Sequence, residues 1–99
     1  MTTAITAQPL TLTTRASIST EVLVQETGDE AVLLDLAGEQ YFGLDPVGLR
    51  IWRLLEGGAD LRGVCDALLA EYDVGAAQVE GDVIALVGQL RDAGLITVG

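Results

Sequence analysis

Three short stretches of alternating apolar and polar residues predict a small antiparallel sheet. They cover residues 21–26 (EVLVQE), 31–36 (AVLLDL) and 40–44 (QYFGL). In the first stretch Val22 and Val24 fall on one side, because successive side chains of a strand point to opposite faces. Gly28 and Gly38 lie in the two connections and supply turn signals. Two consecutive hairpins therefore predict a three-stranded meander.

The apolar period then changes to that of a helix and predicts three helices. They cover residues 46–56, 61–72 and 76–93. Asp45 and Asp60 are suitable N-caps, and Pro46 stands at the first helical position, where its missing N–H costs nothing. On the third helix the expected core stripe consists of Val79, Val83, Leu86 and Leu90. The order predicts an α+β fold resembling a winged helix-turn-helix, with a three-stranded antiparallel sheet followed by three helices.

The length of 99 residues corresponds to one domain. Residues 1–16 are expected to be a flexible segment or a short edge strand, and residues 17–99 the folded domain. The ending LITV is expected to be a short strand or an extended tail. A single cysteine allows no internal disulfide, and the N-terminus lacks the features of a signal peptide, so a cytoplasmic location is expected.

Composition argues against several classes of function. Five basic residues stand against fifteen acidic ones, a net charge of −10, which disfavours nucleic acid and anionic membranes as partners. Histidine is absent, so no Cys–His or Ser–His nucleophilic pair can form, and a zinc site would be left with one cysteine and carboxylates. Cys65 and Trp52 are expected in the core. We expect no enzyme activity, no metal and no cofactor.

Two features remain after the core is assigned. The strand 40–44 carries neither Lys nor Pro, the residues with which proteins commonly protect an edge strand. On the third helix Ile84 and Val87 fall beside the expected stripe, next to Glu80 and Arg91. These two residues either pack against the sheet or the first helix, or form one wall of a groove. An open edge beside an apolar wall is typical of β-augmentation, in which an extended peptide adds a strand.

Three segments in this order resemble the PqqD-like proteins, the recognition elements for precursors of ribosomally made, post-translationally modified peptides. The segments are VLLDLAGEQYFGLDPVGLRIWRLLEGG, LLAEYDV and DVIALVGQLRDAGLI, within residues 20–97. The pattern is most similar to the stand-alone recognition proteins of lasso peptide pathways, often named B1. The resemblance implies a precursor leader peptide as ligand, a separate cysteine protease (B2-type) as partner, and a cyclase acting afterwards.

The resemblance also implies which residues meet the peptide. The pairing strand corresponds to Glu39, Gln40, Tyr41, Phe42 and Gly43. The groove helix contributes either the flank with Ile84, Val87 and Arg91 or the opposite flank with Asp82 and Ala85. Leu34 and Val24 are candidates for the pocket floor or for the core.

Two alternatives keep the same fold. A PqqD proper would act on the precursor of a quinone cofactor with a radical enzyme as partner, and the residues barely separate it from the lasso hypothesis. The charge of the third helix argues against a DNA-binding winged helix. Its one basic residue, Arg91, is outnumbered by Glu80, Asp82 and Asp92.

Overall fold

Two small sheets and three helices form the fold of residues 10–98, which the computed structural model describes. The strands are β1 (Ala16–Ile18), β2 (Val22–Thr27), β3 (Glu30–Asp35), β4 (Gln40–Leu44) and β5 (Ile96–Val98). The helices are α1 (Pro46–Glu56), α2 (Leu61–Glu71) and α3 (Ala76–Asp92). The expected α+β fold, a three-stranded antiparallel sheet followed by three helices, is confirmed.

The larger sheet has the order β2-β3-β4 and is antiparallel throughout. Its inner face carries Ala31, Leu33 and Leu44, which are buried against the helices. Across the outer face the register aligns Leu23 with Leu34 and Leu34 with Tyr41. Because alternation assigns every second residue to each face, this register fixes which side chains of β4 can approach the helices.

Aspartate caps begin the first two helices. The Asp45 carboxylate accepts a hydrogen bond from the Gly48 amide at 2.7 Å, and the Asp60 carboxylate accepts one from the Gly63 amide at 2.8 Å. Pro46 occupies the first turn of α1, as the sequence predicts. The cap places α1 directly after β4, so the strand and the start of the helix form one continuous surface.

The core lies between the larger sheet and the three helices, with Trp52 fully buried at its centre and Cys65 buried beside α3. The buried stripe of α3 consists of Val79, Val83, Val87 and Leu90. The sequence expectation placed Leu86 in this stripe and Val87 beside it. The structure exchanges the two residues: Val87 is fully buried, and Leu86 is only partly covered.

The segment before the larger sheet packs on the helices. Leu10 and Leu12 are partly buried against the core, and the amide of Arg62 at the start of α2 donates to the carbonyl of Leu12 at 2.7 Å. β1 then pairs with β5, so the LITV ending is a strand. Residues 1–16 were expected to be a flexible segment or a short edge strand. Within this range Leu10 and Leu12 pack against the core, and residues 1–9 lie outside the described part. Within residues 10–98, no helix is long and apolar enough to cross a membrane.

Candidate functional site

Among residues 10–98 the backbone of β4 presents a free edge, because β4 is the last strand of its sheet there. The Leu36 amide donates to the Glu21 carbonyl at 2.9 Å, which continues the β2–β3 register. In an antiparallel ladder, hydrogen-bonded residue pairs alternate with non-hydrogen-bonded pairs. Every second residue of β3, counted from Leu36, therefore bonds to β2, and the residues between them, such as Leu33, bond to β4. On β4 the N–H and C=O groups of Tyr41 and Gly43 consequently point away from the sheet.

A cavity of about 570 Å³ lies beside this edge, between β4, the start of α1 and one flank of α3. The residues that line it come from β4, α1 and α3. The lining residues are Phe42, Gly43, Leu44, Asp45, Val47, Gly48, Ile51, Asp82, Leu86 and Gln89. The volume is within the range of about 300–1,000 Å³ that is usual for ligand sites.

The cavity faces the flank of α3 that carries Asp82, Leu86 and Gln89. Of the two flanks that the sequence left open, this is the one with Asp82. Ala85, expected with Asp82, is exposed on α3 but outside the cavity lining. Leu86 and Gln89 were not expected in the site. Their spacing from Asp82, at i+4 and i+7 on a helix, is the signal that would have found them.

The other flank of α3 is occupied. A Cβ built on Gly88 would lie 3.8 Å from Leu10 Cδ1, so the N-terminal segment covers this flank. Ile84 is partly buried against the core, and Arg91 is also partly buried; neither lines the cavity. Val87 is fully buried and cannot form a groove wall. Of the two flanks that the sequence left open, the geometry of the cavity therefore favours the one with Asp82 over the one with Ile84, Val87 and Arg91.

The side chains of the predicted pairing strand lie on different faces of the sheet. Phe42 is partly buried and its side chain faces the cavity, while Tyr41, 79% exposed, lies on the outer face. Glu39 precedes β4 in a left-handed conformation with φ of 56°. Leu34 pairs with Tyr41 on the outer face and is outside the cavity lining, so the sheet separates it from a pocket floor. Val24 packs against the core.

Gln40 anchors the start of β4 to the end of α3. Its side-chain amide donates to the Ala93 carbonyl at 3.2 Å and lies 3.4 Å from Asp35 Oδ2. A Cβ on Gly38 would come within 2.5 Å of the same carboxylate oxygen, so a larger residue there would displace the Asp35 side chain. These contacts fix the position of the free edge relative to α3, and thereby the width of the cavity.

The electrostatics of the cavity favour a cationic ligand. Two carboxylates, Asp45 and Asp82, line it, and no lysine or arginine is among the lining residues. The net charge of the full chain, −10, has the same sign. A basic ligand would be attracted over a distance set by salt screening, about 10 Å at 0.1 M.

Two further observations concern the single cysteine and metal binding. Burial raises the pKa of the Cys65 thiol, and the carboxylates of Glu80 and Asp66 raise it further, so the thiol stays protonated and unreactive. Residues 10–98 contain no cluster of three or more His, Cys, Asp or Glu side chains that could hold a metal ion. What the geometry provides is an edge strand beside a cavity with both apolar and polar lining, the arrangement in which an extended peptide adds a strand and side-chain pockets read its sequence.

Sequence comparison identifies relatives for most of this region. The family model described as coenzyme PQQ synthesis protein D (PqqD) matches residues 30–96. A PqqA binding protein of Rhodopseudomonas palustris is 34% identical over 62 residues, 63% of this chain and 61% of the relative, so the match spans about three fifths of that protein. A PqqA binding protein of Xanthomonas axonopodis pv. citri is 30% identical over 87 residues, 88% of this chain and 95% of the relative.

Two solved structures share the fold. TbiB1 in complex with the TbiA(beta) leader peptide is 43% identical, with a TM-score of 0.76 over 80% of this chain and 92% of that one. A lasso peptide synthetase B1 complexed with the leader peptide is 32% identical, with a TM-score of 0.71 over 84% of this chain and 98% of that one. Both similarities cover more than nine tenths of the solved chains and about four fifths of this one.

Proposed function

This chain belongs to the PqqD family, and from that premise we propose that it binds the leader region of a ribosomal precursor peptide by strand addition to β4. The observation that carries the proposal is the free edge of β4, whose backbone groups at Tyr41 and Gly43 point outward and whose residues Phe42, Gly43 and Leu44 line the cavity. The similarity to two proteins solved with leader peptides supports it.

Strand addition would use the site in two ways. The backbone of the peptide bonds to the N–H and C=O groups of Tyr41 and Gly43, which gives affinity with little dependence on sequence. The peptide residue opposite Phe42 places its side chain on the helix side of the sheet, because paired residues share a face. That side chain enters the cavity against Leu86, so the cavity reads alternate residues of the leader.

The protein then acts as an adaptor rather than a catalyst. In this proposal it presents the bound precursor in the cytoplasm to a separate cysteine protease, after which a cyclase closes the ring. The 43% identity to TbiB1 and the similarity to a lasso peptide synthetase B1 support a lasso pathway. Nothing beyond the strand and the cavity is required of this chain.

A binding titration tests the proposal. A fluorescent peptide covering the leader encoded by a short open reading frame beside this gene is titrated with the purified chain, and its anisotropy is recorded. We expect saturable binding in the nanomolar to low micromolar range that a scrambled leader lacks. Phe42→Ala should weaken it, whereas the matched outer-face variant Leu23→Ala should not. Equal binding of leader and scrambled peptide would refute the proposal.

A second candidate function is that of a PqqD proper, which would bind the precursor of a quinone cofactor and assist a radical enzyme. The observation in its favour is that the curated relatives are PqqA binding proteins, at 30–34% identity. The same titration separates the two candidates when a PqqA-type peptide is tested beside the lasso-type leader. Tighter binding of the PqqA-type peptide would favour the second candidate.

A further inference from the structure

We propose that Gln40 is a positioning residue: it holds the start of β4 at a fixed distance from the end of α3 and so limits the size of the peptide side chain that fits opposite Phe42. The inference rests on the proposed function and concerns the selectivity of the same site. Gln40 is the first residue of β4, and its side-chain amide donates to the Ala93 carbonyl at 3.2 Å. Ala93 is the C-cap of α3, one helical turn after Gln89, which lines the cavity. A single side chain thus joins two walls of the cavity at one end.

The chemistry of this link requires an N–H donor. The Ala93 carbonyl is among the last carbonyls of α3, which have no partner within the helix. The same nitrogen of Gln40 lies 3.4 Å from Oδ2 of the buried Asp35. Carbonyl and carboxylate oxygens both accept hydrogen bonds, so the position suits a group with at least two N–H bonds. A side chain without a donor cannot make the link.

The turn that precedes β4 needs such support. Glu39 has a φ of 56°, in the left-handed region that residues other than glycine rarely adopt. A backbone in this region is kept by its surroundings rather than by its own preference. The contacts of Gln40 with Asp35 and Ala93 are immediately adjacent to it. Without them the start of β4 is free to move relative to α3.

The two ends of β4 are held in different ways. At the far end Leu44 is buried in the core, and Asp45 caps α1 through its bond of 2.7 Å to the Gly48 amide. At the near end the side chain of Gln40 reaches α3. If this link is lost, the strand moves about its fixed far end, and the cavity widens between Phe42 and Gln89, the lining residues of β4 and α3 that are nearest to the link in sequence.

A fixed separation of the walls makes the cavity selective for size. The peptide side chain opposite Phe42 packs between these walls, and extra volume in a packed site forces neighbouring groups to shift. A loosened wall admits a larger side chain, and it also holds the original one less well because the wall must be ordered on binding. Gln40 is exposed, so water can reach the Ala93 carbonyl in a variant that lacks the amide, and the variant should fold.

The test compares selectivity rather than affinity alone. The leader encoded beside this gene, and a set of peptides that carry tryptophan at each leader position in turn, are titrated against wild type, Gln40→Leu and Gln40→Lys. Gln40→Leu removes the donor at similar size, whereas Gln40→Lys keeps an N–H donor that two oxygens can share. Gln25→Leu is the matched control, since it makes the same change at an exposed position of β2, opposite Val32. The leader position opposite Phe42 is the one at which Phe42→Ala relieves the penalty for tryptophan.

We expect Gln40→Leu to bind the unmodified leader about 2- to 12-fold more weakly, the usual effect of one hydrogen bond. At the position opposite Phe42, wild type should bind the tryptophan peptide about 5- to 150-fold more weakly than the leader, because overpacking is costly. This ratio should be clearly smaller in Gln40→Leu. Gln40→Lys and Gln25→Leu should keep the ratio of wild type.

An unchanged ratio in Gln40→Leu would overturn the proposal, even if all peptides bound more weakly, because the residue would then contribute stability and not selectivity. A ratio that falls equally in Gln40→Lys would also overturn it, since the donor would not matter. Thermal unfolding establishes that each variant is folded, and Gln40→Ala replaces Gln40→Leu if the latter is not. Failure of wild type to distinguish the leader from a scrambled peptide would instead refute the proposed function.

Discussion

Replacement of Gly43 by proline should separate backbone pairing from every other contribution to peptide binding. Gly43 lies on the free edge strand, and the hydrogen-bond alternation of the sheet directs its N–H away from β3. Proline removes that N–H without removing a bond of the sheet itself, which is why edge strands tolerate it. The variant should therefore fold and lose one donor to the peptide.

The expected magnitude follows from the group left unpaired. A peptide carbonyl that faces the proline ring at the edge of the cavity has no partner, which costs about 1–3 kcal/mol. This corresponds to a dissociation constant about 5- to 150-fold higher. Anisotropy titration with the labelled leader measures the change, and thermal unfolding with far-UV circular dichroism establishes that the variant is folded.

Gly43→Ala is the matched control, since it keeps the N–H and its Cβ would meet nothing within 4 Å. It should bind the leader as wild type does. Phe42→Pro is the opposite control: its N–H points into the sheet, so the same ring should destabilise the fold itself. If Gly43→Pro folds and binds the leader with unchanged affinity, the peptide does not pair with this edge, and the reasoning from the sheet register is wrong.

Three further variants test other parts of the structure. Leu86→Ala should weaken leader binding more than about fivefold, as truncations at the centre of an interface do, whereas Arg91→Ala on the opposite flank should not; an equal loss for both would contradict the flank assignment. In Gly38→Ala the added Cβ would lie 2.5 Å from Asp35 Oδ2, so this carboxylate must shift and weaken its contact with Gln40. The free energy of unfolding should fall by about 0.5–1.5 kcal/mol, which urea unfolding against Gly43→Ala measures. The Arg50 hydrogen bond lowers the pKa of Glu71 below 4.5 in the folded chain. Wild type should therefore be slightly more stable than Glu71→Gln above pH 4.5, and this difference should vanish as the pH falls through the folded pKa. A melting-temperature difference that persists at pH 2 would contradict the prediction.

The sequence predicts the elements of the larger sheet and the helices because local signals there agree with one another. The Asp45–Pro46 pair marks the start of α1, and period-two alternation gives β2 and β3. The second sheet of β1 and β5 could not be predicted in the same way. Its strands have three residues each and pair across almost the whole chain, so neither period nor turn chemistry signals the contact.

For the candidate site, the sequence could not predict the rotation of α3 about its axis, which decides the side chains that face the cavity. Leu86 and Val87 are adjacent and both apolar, so either one completes a core stripe with Val79 and Val83, and the two choices differ by about 25° in the direction of the stripe. Hydrophobic periodicity cannot separate them, because it counts apolar positions and not what covers them.

The choice between the two rotations depends on a distant segment of the chain. Leu10 lies against the face of α3 at Gly88, and the backbone of Leu12 bonds to the start of α2. With that flank covered, Val87 turns into the core and Leu86 turns toward β4. Removal of residues 1–12 should therefore uncover the Gly88 flank and loosen the rotation of α3. Leader affinity should then fall even though Leu10 and Leu12 do not line the cavity, and an unchanged affinity would show that the core alone fixes the helix.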